Sequence, residues 1–248
     1  MRRAANQLTR IHVPGMPAAG ACIDLPPTAA HHLTRVLRAA VGDPVVVFSA
    51  GTEFAATIAR IDKHGVTVKL AAGRVVDREA PLAFTLAQAI SSGERMDLTL
   101  QKAVELGIKD VQPLFSERSV VRLDAERAGK RMAHWQQVLV SACEQCGRNV
   151  VPGLAAPQAL FDWLGTLSPP SGAGLFLLSP HAGGRLAGLP RPSAVILLAG
   201  PEGGFTEVEM GLAQKRGFVA VRLGPRVLRT ETAALAALAA MQTLWGDF

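Results

Sequence analysis

VILLAGPEGGFTEVEMGLAQKRGFVAVRLGPRVLRTETA, residues Val195–Ala233, holds two strand–loop–helix units in succession. The apolar run Val195–Ala199 predicts a buried strand that leaves through Gly200-Pro201-Glu202-Gly203-Gly204. Thr206-Glu207-Val208-Glu209 has capping-box spacing and starts a helix toward Lys215. Phe218–Leu223 is a second buried strand, and Gly224-Pro225-Arg226-Val227-Leu228-Arg229-Thr230-Glu231-Thr232 follows it as the second loop. An Ala/Leu-rich helix then runs from about Ala233 to Trp245. Both loops leave the carboxyl ends of strands, where open α/β sheets place their ligands.

The same alternation extends back to Leu82. Strands are predicted at Phe84–Ile90, Val111–Phe115 and Leu175–Ser179, the mark of a parallel sheet with crossovers. Met96, Leu100, Ala103, Val104 and Gly107 share one helical face, with Gly107 as the stop. A longer helix is expected over Ala125–Cys146. Upstream of about Leu70 the pattern is β instead: Arg10–Val13, Cys22–Leu25, Pro44–Phe48, Glu53–Ile61 and Val66–Leu70. Short strands at this spacing point to a small barrel. Between them Thr28–Arg38 reads as one helix capped by Thr28, placing Arg35 and Arg38 on one face with His31 a turn behind. Gly73–Pro81 is charged and aperiodic. The organisation read from this is a β-barrel domain over residues 1–72, a linker over 73–81 and an α/β domain over 82–248.

Composition narrows the function classes. The chain has 248 residues, 49% of them hydrophobic and 19% charged, which suffices for a packed core and excludes bulk disorder. No apolar run approaches the roughly 18 residues of a membrane span, and MRRAANQLTRIHVPG lacks the apolar stretch of a signal peptide. Three cysteines are too few for a disulfide framework, which fits a reducing cytoplasm. A formal net charge of +6, carried mainly by arginine, fits a polyanionic partner, although nucleotide bias in the source genome explains the same composition.

Familiar nucleotide motifs are missing: no GxxxxGK[ST], no GxGxxG after a strand, no HExxH. Cys143-Glu144-Gln145-Cys146 is a lone CxxC in a helical pattern with no second pair, so no metal is expected. The two glycine-rich loops carry more. Glycines let backbone groups approach a ligand closely. Leu223-Gly224 and Val227-Leu228 suit an adenine slot, and Thr230, Thr232 and a helix N-terminus offer polar contacts. Glu231 has a bland explanation, because acids favour helix N-termini. Arg229 has none, and is expected to face a phosphate, a carboxylate or Glu202.

GPEGGFTEVE and LGPRVLRTETA, with RMDLTLQKAVELGI (Arg95–Ile108), SERSVV (Ser116–Val121) and EQCGR (Glu144–Arg148), resemble the bacterial 16S ribosomal RNA uracil-N3 methyltransferases of the SPOUT superfamily. The resemblance spans nearly the whole chain. It implies a SPOUT-type parallel sheet with a C-terminal trefoil knot, preceded by a PUA-like RNA-binding barrel. It also implies a homodimer acting on ribosomal RNA of the small subunit. S-adenosylmethionine is the implied cofactor, held by Leu198, Ala199, Gly200, Glu202, Gly203, Leu223, Gly224, Val227, Leu228, Thr230, Thr232 and Ala233. For such a reaction Arg229 is the candidate catalytic residue for charge stabilisation, and Glu231 or an ordered water for proton acceptance; Arg10, Arg35 and Arg38 are the expected RNA contacts, and Arg95 and Arg118 RNA or cross-subunit contacts. One departure stands out: Ile11-His12 follows Arg10 where the family often carries aromatic residues. Three other readings compete: a ribose 2′-O-methyltransferase on the same scaffold, a non-catalytic RNA-binding assembly protein, and a small-molecule nucleotide-binding enzyme, which the missing phosphate loops disfavour.

Overall fold

The computed structural model describes residues 8–119 and 125–248; the N-terminal arginines, and Val120–Val121 of the SERSVV stretch, lie outside the described residues. Two compact units emerge, Met1–Glu79 with Cys143–Val151, and Ala80–Ala142 with Pro152–Phe248. No helix among the described residues is long and apolar enough to cross a membrane.

The first unit is a five-stranded sheet. β1 (Arg10–His12), β2 (Cys22–Asp24), β3 (Pro44–Ser49), β4 (Thr52–Asp62) and β5 (Gly65–Val75) lie in the order β1-β3-β4-β5-β2. Alternation along the strands sends Val45, Val47, Phe54, Ala56, Ile58, Val66, Val68 and Leu70 into one core. Ile11 of the end strand β1 and Leu25, just after the opposite end strand β2, join the same cluster. The predicted helix Thr28–Arg38 is corrected in three respects. Helix α1 covers only Pro27–His31 and starts on Pro26-Pro27, so Thr28 is not its cap. The chain then widens into a π turn over His32–Val36, where the Thr34 hydroxyl bonds back to the Ala30 carbonyl at 2.8 Å. Arg38 ends this turn at φ +53°, so Arg35 and Arg38 do not share a regular helical face.

The segment expected as a linker is built into this unit. β5 continues to Val75 opposite Thr52, and a side chain on Gly73 would meet the Phe54 ring at 2.6 Å. Glu53 collects Arg10 (3.1 Å), Arg74 (2.6 Å) and Arg78 (3.4 Å), while Asn149 bonds Arg10 and the Val76 carbonyl. Arg148, 4% exposed, pairs with Glu79. The EQCGR stretch therefore belongs to the first unit, not to the 82–248 segment. Cys143 is buried there, and burial pushes its thiol up to about 12, which leaves it inert.

The second unit carries β6 (Ala83–Ala89), β7 (Asp110–Phe115), β8 (Gly153–Leu154), β9 (Gln158–Ala159), β10 (Gly174–Leu178), β11 (Ala194–Ala199) and β12 (Val219–Val221). The order is β12-β10-β11-β6-β7-β8, with β9 also on β7 and all pairings parallel. Helices α2 (Gly93–Glu105), α3 (Ala125–Cys146), α4 (Leu160–Thr166), α5 (Glu207–Lys215) and α6 (Thr230–Trp245) form the crossovers and cover, α3 ending in the first unit. Gly107 follows the end of α2 at φ +83°, as its stop. The Thr206/Glu209 capping box forms as predicted. β8, β9 and α4 were not predicted, because two-residue strands and a seven-residue helix leave too short a pattern to read. Parallel pairing brings the carboxyl ends of β6, β11, β10 and β12 to one edge.

Burial is the largest influence on Glu53 and acts to raise its pKa, yet bonds from Arg74, Arg10, Asn149 and Arg78 outweigh it and hold the carboxyl at about 2. Glu53→Gln leaves Arg10, 8% exposed, without its carboxylate. We expect a loss of roughly 3 kcal/mol at neutral pH, the lower end for breaking a buried pair, because Arg74 faces water. A depressed carboxylate stabilises above its ordinary value of 4.5 and stops doing so as pH falls through about 2. Urea unfolding should therefore show the gap between wild type and variant close over that window and not between neutral pH and 4.5.

Candidate active site

A cleft of about 580 Å³ opens at the shared edge of the second unit, within the ~300–1,000 Å³ typical of small-molecule sites. Its walls are the exits of β11 (Ala199–Gly204), β12 (Val221–Leu223 and Arg226–Thr230) and β10 (Leu178–His181), with Glu231 and Ala233 of α6. The two loops singled out in the sequence thus face one space. The tie between them is direct: the Thr230 hydroxyl donates to the Gly200 carbonyl at 2.5 Å.

The first loop is fixed from outside. Gly204 turns at φ +66° and its N–H donates to the Pro201 carbonyl at 2.9 Å. Arg118 donates to the Gly203 carbonyl at 3.0 Å and packs so closely that a Cβ on Gly203 would lie 3.1 Å from its own Cβ. Buried Glu209 accepts from the backbone N–H groups of Thr206 and Glu117, both at 2.8 Å, joining this turn to the start of α5. Glu202 accepts from Arg95 at 2.8 Å and from the Ser92 N–H and hydroxyl at 3.0 and 2.9 Å. Burial, the largest influence, opposes ionisation of Glu202, but these bonds together with its own N–H hold it at about 2.

Several expected roles change as a result. Glu202 is answered by Arg95 rather than by Arg229. Arg95 and Arg118, read as RNA contacts, are engaged within the second unit. Arg10 is engaged in the first unit: it pairs with Glu53, bonds Asn149 and lies 4.8 Å over the Phe48 ring. Arg35 and Arg38 are exposed. Of the residues read as cofactor contacts, Ala199, Gly200, Glu202, Gly203, Leu223, Val227, Leu228, Thr230 and Ala233 line the cleft. Leu198 is buried behind it, Thr232 is exposed on α6, and Gly224 lines a separate cavity of about 710 Å³ with Leu186, Pro225 and Leu244.

Arg229 and Glu231 both line the cleft but differ in environment. Arg229 is exposed at the N-cap of α6. Glu231 is 9% exposed, and its Oε2 has no hydrogen-bond partner among the described residues. Arg222 and Arg226 line the same cleft, and neither side chain makes a hydrogen bond or ion pair among the described residues. With Glu202 already paired, the mouth is cationic. Sequence reasoning missed these two arginines along with Ser179, His181, Phe205 and Met210. The β10 exit obeys the same strand-end rule as the other loops, but only the strand order reveals that β10 neighbours β11 and β12. No cluster of three His, Cys, Asp or Glu side chains suited to a metal occurs among the described residues.

Comparison with known proteins agrees with this geometry. Residues 78–242 match the RNA methyltransferase domain family, and residues 25–71 match the RNA methyltransferase PUA domain. The chain is 33% identical over 244 residues to ribosomal RNA small subunit methyltransferase E of Buchnera aphidicola, covering 98% of each. A methyltransferase of Legionella pneumophila solved with S-adenosylmethionine superposes with a TM-score of 0.93 at 40% identity, over 98% of this chain and 100% of that one. Ribosomal RNA small subunit methyltransferase E of Neisseria gonorrhoeae, also bound to S-adenosylmethionine, superposes at 0.89 with 43% identity over the same shares. With a match of this length at the sheet, the loops and the PUA segment alike, the chain belongs to the ribosomal RNA small subunit methyltransferase E family of RNA methyltransferases.

Proposed function

We propose that this protein methylates N3 of a uracil in 16S ribosomal RNA, using S-adenosylmethionine held in the cleft between the two glycine-rich loops. The observation that carries the reading is the presence in the lining of one cleft of an exposed guanidinium, Arg229, and of Glu231, whose buried Oε2 has no partner among the described residues. The residues present fit the cofactor: the volume is adequate, and Leu223, Val227 and Leu228 supply an apolar wall for an adenine. When bound, S-adenosylmethionine supplies a methyl group already activated on a sulfonium.

The protein's part follows from the chemistry of uracil. N3 of the neutral base carries a proton, so its lone pair is unavailable until that proton leaves. Glu231 is the candidate to accept it: the residue lines the cleft, and its buried Oε2 has no hydrogen-bond partner among the described residues. Arg229 stabilises the negative charge that develops on the ring, as a fixed cation beside the reacting base. The Watson–Crick edge must be exposed, so the target base is unpaired or turned out of its stack. Arg222 and Arg226 suit the phosphates on either side, and Arg35 and Arg38 suit a more distant stretch of RNA. Arg95 and Arg118 act indirectly, by holding the first loop of the site, and Arg10 serves the fold of the first unit.

The finer architectural reading belongs with this proposal. Ile11 and Ile23, from the two end strands, both pack on the core of the first sheet, which supports a curled, PUA-like barrel. β12 lies at the sheet edge beside β10, yet the chain returns to Gly200 and α6 packs on α2 and β11. That return path supports a trefoil knot. The mostly apolar cavity along α6, with Ala240 and Leu244, supports a homodimer interface. A protein acting on ribosomal subunits works in the cytoplasm.

Arg229→Ala should lower kcat by roughly 10²-fold, as for loss of one charge-stabilising group, with binding of S-adenosylmethionine changed little. Nucleoside mass spectrometry on treated small subunits checks it, and a 2′-O-methylated nucleoside in place of 3-methyluridine would refute the assignment. A double-mutant cycle on Arg95→Ala and Glu202→Gln should give a coupling of only ~0.5–1 kcal/mol in urea unfolding, because Arg95 is 43% exposed and water screens the pair.

A further inference from the structure

Gln88 is an unusual residue for its position. It lies in β6, inside a parallel sheet covered on both faces, where strands are ordinarily continuous in apolar residues. It is 0% exposed, and its register partner on β11 is Ala199, the residue that precedes the first loop. A buried amide carries a desolvation penalty unless its hydrogen bonds are met. Here they are met on one side only. Nε2 donates to the Ala89 carbonyl at 2.9 Å, the Thr230 hydroxyl at 3.2 Å and the Gly200 carbonyl at 3.4 Å, while Oε1 has no partner among the described residues.

The surroundings fix which way the amide points. The Thr230 hydroxyl spends its single hydrogen on the Gly200 carbonyl, so toward Gln88 it can only accept. All three neighbours of Nε2 are therefore acceptors, and a reversed amide would set oxygen against oxygen. Gln88, Thr230 and Gly200 form a closed triangle with one corner on a central strand and one on each loop. A side chain selected for stability alone would be apolar and leave no orphan oxygen.

We propose that Gln88 is a positioning residue, which sets the spacing of the Gly200 loop and the first turn of α6 and so the width of the cofactor slot. The inference rests on the reading of the cleft as the S-adenosylmethionine site. Gln88 touches neither reacting atom. Its effect is on how well the two walls are pre-organised before the cofactor arrives.

Calorimetric titration of the full chain with S-adenosylmethionine, alongside thermal unfolding, tests it. Gln88→Leu removes the triangle's amide donor and also the orphan oxygen, leaving the Thr230–Gly200 bond. Affinity should fall about tenfold, the scale of one net hydrogen bond, without a fall in Tm and with KM for the RNA unchanged. Gln88→Glu adds a pH signature that packing alone would not produce. Facing three oxygens, the new carboxyl has its pKa raised; protonated it donates one hydrogen, ionised it repels all three. Its affinity should approach that of the wild type near about pH 6 and weaken progressively toward about pH 9, with Glu231 of α6 common to every variant. Should Gln88→Leu fail to fold, Gln88→Met takes its place. Affinity of the apolar variant within about twofold of wild type, or a Gln88→Glu curve parallel to the wild type, overturns the role of Gln88. A wild-type protein that gives no binding heat and no thermal shift instead removes the cofactor reading, and this proposal with it.

Discussion

The bond from the Thr230 hydroxyl to the Gly200 carbonyl joins segments thirty residues apart in sequence and ties two walls of the cleft to each other. The loops leave β11 and β12, which β10 separates in the sheet, and this bond crosses the gap between them. Parallel strands supply the coarse placement by bringing four carboxyl ends to one edge. Side-chain hydrogen bonds supply the fine placement, through Gln88 beneath the loops, Arg95 and Ser92 beside Glu202, and Arg118 against Gly203. The Gln88 bonds lie in the buried interior, where an unmet partner is costly, whereas those of Arg95, Ser92 and Arg118 lie at the surface and add positional restraint.

The arginines divide into two populations. Arg10, Arg95, Arg118 and Arg148 are engaged inside the protein, three of them at acidic side chains and Arg118 at a backbone carbonyl. Arg35, Arg38, Arg222, Arg226 and Arg229 have no side-chain partner among the described residues. The overall charge of +6 does not distinguish them, yet of these nine arginines the second five are the ones with charge left to offer a polyanion. A planar guanidinium suits either task, since the fork that grips a phosphate grips a carboxylate or a carbonyl as well. Composition alone therefore points to a partner without showing which arginines meet it.

In the first unit the same chemistry serves the fold. Glu53 gathers three guanidiniums and an amide, and Arg148 pairs with Glu79, so residues 143–151 are held against a sheet whose strands lie far earlier in the chain. A segment of only nine residues cannot make a core of its own. It is retained by polar bonds whose partners would otherwise be buried and unmet. This explains why a stretch that reads as an exposed charged linker, Gly73–Pro81, is mostly engaged in structure.

What the chain determines locally was legible in its letters: the buried strands, the capping box of Thr206 and Glu209, the stop at Gly107 and the two loops at strand ends all depend on neighbours within a few residues. Strings of this kind carry propensity and spacing, and these sufficed for the α/β alternation and for most of the cleft. The π turn after α1 was not legible, because a threonine bonding back to a carbonyl competes with a regular helix by small margins. Nor were the partner of Glu202, the engagement of Arg10, and the inclusion of Ser179, His181, Arg222 and Arg226 in the site. Those depend on strand order and on which side chains meet across long separations, 43 residues for Arg10 and Glu53 and 107 for Arg95 and Glu202. Only the folded chain decides them, since charge and hydrogen-bonding capacity say what a side chain can hold and distance alone says what it does hold.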